Sequence, residues 1–295
     1  MQALLTDAAL SDAVESAASV DMYEAAPPEV AAALGVRALQ IDGATVLLAK
    51  SLADPTMNRV IGIGVDQEAS EDALDSLIEM FDAERVDRYW IHVSPMAQPA
   101  ALPQWLRTRR FAPPRRRSWV KLICHTDPVV PPRSEFQIRP ARADDANAVA
   151  ATICESFGWP QAQATEWLAA LVMRPSWQTF VACDGVSVIG AGLLYIDAER
   201  KAAWLGMGAV RDSHRGRGAQ RALIVARVRA ALEAGCDSIV SETGDPIADE
   251  PNPSLHNLQR CGFERVVSRL NYAAPSRASS GSSGRGSPAA STSAG

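Results

Sequence analysis

The stretch VRDSHRGRGAQRALI, residues 210–224, runs from an apolar segment through an Arg-Gly-x-Gly turn directly into a helical pattern. Gly216 and Gly218 leave the turn without Cβ atoms, so its backbone amides can approach a ligand closely. The helix that follows adds unpaired N–H groups and the positive end of its dipole, while Arg215, Arg217 and Arg221 add full charges. Together these features describe an anion cradle suited to a phosphate or pyrophosphate; the alternative is a capped helix with a basic first turn. No Gly-Lys-Ser/Thr follows, which excludes a Walker A loop, and the G-x-G-x-x-G dinucleotide fingerprint is absent.

Outward from this turn, residues 136–273 read as alternating elements. FQIRP is a short strand, RADDANAVAATICESFG and QAQATEWLAALVM are helices, and QTFVACD, VSVIGAGLLYI and AAWLGMGAV are three strands. Asp184-Gly185 joins the first two of these strands as a hairpin. The helix AQRALIVARVRAALEAG ends at Gly235, and DSIVSE, NPSLHNLQRCG and FERVVSRLNY follow as strand, helix and strand. The first half repeats the theme: RVIGIGV at 59–65 resembles AWLGMGAV, followed by a helix (SEDALDSLIEMFDAE), a strand (RYWIHVS), a further helix and RRFAPPRRRSWVKL. Two copies of one unit follow as the expectation. In the first copy the cradle position reads DQEASED, whose Asp66, Glu68, Glu71 and Asp72 would repel a pyrophosphate.

The V-x-x-x-x-R-G-x-G pattern between strand and helix, with PSLHNLQRCGF some thirty-five residues later, resembles the GNAT superfamily of acyl-CoA-dependent N-acetyltransferases. The resemblance covers 136–273 and implies an α/β (α+β) fold: two GNAT-like domains, each a mixed, mostly antiparallel twisted sheet flanked by helices, the first without a coenzyme-binding turn. It implies that Arg215, Gly216, Arg217, Gly218, Ala219 and Gln220 hold the coenzyme pyrophosphate, and that Gly208, Ala209 and Val210 pair with the pantetheine amides. Gln220 departs from the Gly or Ala usual there. The co-substrate implied is acetyl-CoA, with no metal.

The resemblance also implies direct attack of an amine on the thioester, with the oxyanion held by an amide freed at a bulge. LGMGAV suits such a bulge, and Met207 or Gly208 would supply the amide. Glu242 ends the strand expected to splay from its neighbour and is the first candidate base, with Glu155 second; Asp245, Asp249 and Glu250 would give the mouth a negative character. The tyrosine that many relatives use as the acid is Leu258 here. Cys261, His256 and His214 are substitutes, against which stand core packing for the cysteine and surface positions for the histidines.

The whole chain has 295 residues, 29 Lys and Arg against 34 Asp and Glu, and a net charge of -5, which argues against a nucleic-acid binder. Arg115, Arg116 and Arg117 accordingly read as a solvated hairpin rather than a nucleic-acid patch. Five separated cysteines without a C-x-x-C pair fit free thiols in the cytoplasm. The amino terminus lacks a basic region and a sustained apolar core, so it does not read as a signal peptide, and no segment is long enough to cross a bilayer. The expected organisation is 1–127, a degenerate copy; 128–135, a Pro-rich linker; 136–273, the acetyltransferase domain; and 274–295, a disordered Ala/Ser/Gly-rich tail. The function expected is acyl transfer to a small-molecule or peptide amine, with a non-catalytic acyl-CoA-binding or regulatory module as the alternative.

Overall fold

The computed structural model describes residues 2–115, 118–128, 134–248 and 250–275. Most of the expected linker, the tail beyond 275, Arg116, Arg117 and Asp249 lie outside the described residues. The first half contains α1 (Gln2–Glu24), α2 (Pro28–Leu34), β1 (Val36–Ile41), β2 (Ala44–Ala49), β3 (Arg59–Ile61), α3 (Glu71–Ala83), β4 (Trp90–Val93), α4 (Leu102–Thr108) and β5 (Ser118–Cys124). The second contains β6 (Gln137–Pro140), α5 (Ala146–Phe157), α6 (Gln161–Ala169), β7 (Trp177–Asp184), β8 (Ser187–Asp197), β9 (Ala202–Val210), α7 (Ala219–Glu233), β10 (Ser238–Gly244), α8 (Pro253–Arg260) and β11 (Glu264–Ala273).

All the strands form one mixed sheet in the order β1-β2-β3-β4-β11-β5-β10-β9-β8-β7-β6. Two neighbouring pairs are parallel, β3 with β4 and β9 with β10; every other pairing is antiparallel. The parallel pairs occupy matching places in the two halves, so the strand order is pseudo-symmetric about the β11–β5 contact. Each half has sent its last strand into the other: β11 pairs with β4 through Leu270↔Val93 to Ala273↔Trp90, and β5 pairs with β10 through Ile239↔Cys124 to Gly244↔Trp119. Neither half therefore completes its own sheet.

Helices cover both faces. Leu205, Ala203, Ile239, Val120 and Leu122 pack under α7 and α8, while Trp204, Val240, Leu193 and Ile61 pack under α1, α5 and α6. α1 crosses the middle of this second face. Its Val14, Ala18 and Met22 are buried at helical spacing, and so are Ser11, Asp12, Glu15 and Ser19 on the same stripe. A stripe mixing carboxylates with apolar residues can be buried only where cations meet it from the sheet, and Lys121 of β5 and Arg269 of β11 do so. The two exchanged strands thus supply the charges that dock α1.

Candidate functional site

β9 and β10 pair in parallel from Ser238↔Ala202 to Ser241↔Leu205, and then separate. Gly206 to Val210 form one wall of the opening and Glu242 to Gly244 the other. The sequence enforces the break. A Cβ on Gly206 would lie 1.7 Å from the Trp204 ring, which folds over it, and the Trp204 Nε1 donates to both Glu242 carboxylate oxygens at 3.0 and 3.1 Å. On the other side, β9 bulges against β8: register passes from Leu193↔Gly206 to Ala191↔Ala209, so Met207 and Gly208 face a single residue, Gly192. Met207 takes φ +51°, a left-handed conformation costly for a side chain without a local hydrogen bond. Arg227 of α7 stabilises this irregularity from below, donating Nη1 to the carbonyls of Leu193 and Gly206 at 3.0 Å each.

The cradle follows at the end of β9. Gly218 is the N-cap of α7 at φ +86° and makes no side-chain capping bond, so the first amides of the helix are left open to a ligand. A Cβ at Gly216, φ +78°, would meet nothing within 4 Å, and at Gly218 only Ser134 Cα at 3.9 Å. The space beside the turn is therefore open. Arg217 pairs with Glu135 at 2.6 Å and lies over the Phe136 ring, and Arg215 pairs with Asp212 at 2.8 Å while donating to the Val210 carbonyl. The Gln220 side chain accepts from Asn257 at 2.7 Å, so the departure at this position ties α7 to α8.

The matching place in the first half is closed. Ser70 caps α3 by accepting from Ala73 N at 3.0 Å, using an amide that Gly218 leaves free in the second half. The backbone of Gln98 bridges Gly64 O at 2.7 Å and Ala69 N at 2.8 Å, so chain fills the space beside Gly64. Glu71 and Asp72 of the first turn complement the helix dipole themselves.

Glu242 stands at the first position beyond the last β9–β10 pair, buried to 6% side-chain exposure. Besides Trp204 it accepts from Lys121 Nζ at 3.3 Å, and that ammonium also reaches Glu15 at 2.7 Å and Asp12 at 3.8 Å. Arg269 binds Glu15 at 2.5 Å and Asp12 at 3.0 Å, and Arg59 of β3 lies 3.4 Å from Glu15. Three acids and three cations from both halves thus form one buried, charge-balanced cluster. Burial and the nearby Glu15 charge push the Glu242 pKa up. Burial alone would raise that of Glu15 too, but Arg269, Lys121 and Arg59 hold it well below the carboxylate range.

The remaining candidates are dispersed. Glu155 pairs with Arg211 at 3.6 Å. Asp245 accepts from Ser118 at 2.7 Å and Arg265 at 2.6 Å, and Glu250 pairs with Arg115. His214 contacts Ser213 and lies 3.7 Å from Asp184, on the β7 side of the turn, and His256 is exposed on α8. Cys261 is fully buried with its thiol 3.8 Å from the Arg221 carbonyl, and burial raises its pKa. Leu258 is buried. Sequence reasoning passed over Trp204, Lys121 and Arg227. Lys121 interrupts the apolar run WVKLIC, and Arg227 shares the buried face of α7 with Leu223 and Ala231, so each is a charge at an apolar position. Among the described residues no three metal-binding side chains converge, and no helix is long and apolar enough to cross a membrane.

Comparison with known proteins agrees with this geometry. The acetyltransferase (GNAT) family model matches residues 146–263. No curated protein matches the chain. Among solved structures, a GCN5-related N-acetyltransferase from Kribbella flavida is similar at a TM-score of 0.58 and 15% identity, covering 81% of this chain and 90% of its own. One from Sphaerobacter thermophilus gives 0.57 and 15%, covering 78% and 79%. A tandem GNAT protein from the clavulanic acid biosynthesis pathway gives 0.57 and 13%, covering 80% and 79%. At these identities the likeness is one of fold, and it extends well beyond the segment that the family model matches. The segment with the open helix terminus and splayed strands is thus the one that matches the acetyltransferase (GNAT) family model, and the chain around it shares the fold of GNAT proteins.

Proposed function

We propose that the chain is an acyl-CoA-dependent N-acyltransferase whose second half transfers an acetyl group from acetyl-CoA to a primary amine. The observation that carries this reading is the uncapped terminus of α7, set beside the bulge where β9 and β10 part. Its open amides, with Arg215 to Gln220, would hold the pyrophosphate, and Gly208, Ala209 and Val210 would bind the pantetheine arm along the free edge of β9. Bound acetyl-CoA supplies the thioester carbonyl that the amine attacks. The backbone of Met207 or Gly208 at the bulge would receive the developing oxyanion. Glu242, across the gap, would take the ammonium proton, a role that a raised pKa favours. The acceptor is an amine, small or peptidic. The closed counterpart in the first half supports a covering and structural role for that copy, and the five free cysteines support a cytoplasmic setting.

One observation favours a second reading, a non-catalytic acyl-CoA-binding module: Leu258 is buried and apolar where many relatives carry a tyrosine. Turnover separates the two. Thiol release from acetyl-CoA over a panel of polyamines, aminoglycosides, amino acids and peptides is expected with at least one acceptor, alongside saturable coenzyme A binding. Binding without release from any acceptor would leave the module reading; absence of binding would remove both.

A further inference from the structure

Arg227 is out of keeping with the face it occupies. Leu223, Ile224, Val228 and Ala231 line the sheet side of α7 with it, and the arginine itself is only 3% exposed. Among the described residues no carboxylate pairs with it. Its Nε donates to Leu223 O at 3.1 Å and its Nη1 to the carbonyls of Leu193 and Gly206. Burial pushes its pKa down to about 10, against a smaller raising effect of the Cys261 thiol. An isolated cation in a protein interior is expensive unless something anionic meets it.

The sheet is cut to receive this charge. A Cβ on Gly192 would lie 2.6 Å from the Arg227 Cζ, and one on Gly208 would lie 3.4 Å from Nη2. Glycines on two strands therefore leave room for a guanidinium against the bulge. Because a trans peptide holds its C=O and N–H on opposite sides, engaging the Gly206 carbonyl from the α7 side turns the Met207 N–H away from α7. The outer nitrogen, Nη2, has no hydrogen-bond partner among the described residues and lies nearest Gly208, on the β9 wall of the opening.

We infer that Arg227 is the charge-stabilising residue of the acyl transfer: it fixes the 206–208 bulge and lowers the energy of the coenzyme A thiolate as it departs, taking the place of a side-chain acid. The inference rests on the acyltransferase reading above. In the step concerned, the amine nitrogen forms the C–N bond and gives one proton to Glu242 or water. The C–S bond then breaks with its electron pair passing to sulfur. The thiolate leaves as such, or takes a proton from water, and no side-chain proton is consumed. With the thioester seated at the β9 bulge, the positive charge against Gly208 would favour the thiolate over the thiol.

The test is the ionisation of the thiol of coenzyme A bound to the full chain, followed by thiolate ultraviolet absorbance across pH. An opposite charge this close is expected to lower the pKa of the bound thiol by at least about one unit relative to free coenzyme A. Arg227→Met abolishes that shift and lowers kcat at least tenfold, while the KM for acetyl-CoA moves less; Arg227→Lys restores part of both. Equal ionisation of free and wild-type-bound coenzyme A overturns the inference without any variant, and so covers the case in which Arg227→Met fails to fold. A shift that survives in folded Arg227→Met overturns it as well. If coenzyme A does not bind the wild-type chain, the acyltransferase reading falls, and this inference with it; binding with no shift removes the role of Arg227 alone.

Discussion

Replacing Lys121 by methionine tests whether the two halves are joined by charge. The substitution keeps the length of the apolar stem and removes an ammonium that has no solvent exposure and lies 2.7 Å from Glu15, 3.3 Å from Glu242 and 3.8 Å from Asp12. The cluster then holds three acids against Arg59 and Arg269, one negative charge in excess among side chains that are almost fully buried. Removing one partner of a buried pair costs about 3–5 kcal/mol, because the surviving charge stays desolvated. In a chain of this size that is a fall in Tm on the order of 10 °C. Glu15→Gln alone should cost a similar amount by leaving a cation in excess. In the double variant Lys121→Met/Glu15→Gln the balance returns, so the loss should be smaller than the sum of the two singles by about 2 kcal/mol. Urea unfolding of the four proteins measures each value, and thiol release measures whether the role proposed for Glu242 depends on its Lys121 contact. A single-variant loss below about 1 kcal/mol, or strict additivity, would refute the account of the cluster as one coupled unit.

Four further outcomes follow from the same geometry. Gly218→Trp, at φ +86° and on the lip of the open turn, should lower coenzyme A affinity by at least about 2 kcal/mol through exclusion and amides left without a partner, as read by titration calorimetry. Gly64→Ala should destabilise by about 1–3 kcal/mol, since its Cβ would lie 2.4 Å from the Gln98 carbonyl at φ +75°, yet leave coenzyme A affinity unchanged because that gap holds only chain. Glu242→Gln should lower kcat/KM by about a hundredfold and remove a rising limb of the pH–rate profile whose midpoint lies above 4.5, the direction in which burial moves this carboxyl. The folded pKa of Glu15 lies below 4.5, so its stabilisation is present above that pH and disappears as pH falls through the folded value; Glu15→Gln should therefore flatten the acid side of the stability–pH curve.

What the sequence disclosed was local. The Arg-Gly-x-Gly turn, the strand–helix alternation of 136–273 and the acidic replacement of the turn in the first half are all written within short windows, and each lies where the reading put it. The register break at Met207 and Gly208 is local as well, since two glycines flank a residue that must adopt positive φ. In the first half the legible pattern starts at Arg59. α1, α2 and the β1–β2 hairpin therefore lie outside it, although Asp42-Gly43, at φ +47° and +75°, is a legible two-residue turn; in the β7–β8 hairpin the expected Asp184-Gly185 turn is shifted by one residue, since Asp184 pairs with Ser187 and Gly185-Val186 make the turn.

The exchange of β5 and β11 is of another kind, because strand partners far apart in sequence leave no periodicity to read. Its trace is chemical. WVKLIC and RVVSRLNY each carry one cation on the face that α1 covers, and SDAVES carries two acids at helical spacing within an apolar stripe. None of these charges has an opposite partner within its own element, and an unpaired charge in a core is among the costliest arrangements a fold can hold. Such a segment must therefore meet its complement from elsewhere in the chain. Lys121 and Arg269 meet it in α1, which fixes β5 and β11 side by side beneath that helix and places Glu242 at the edge of the same cluster. Arg227 breaks this rule within the described residues, for it is the buried cation with no carboxylate against it and lies beside the opening where acyl transfer would generate negative charge. The cluster and the lone arginine are thus two answers to one electrostatic constraint, the first satisfied by the fold itself and the second, under the proposed acyl transfer, by the reaction.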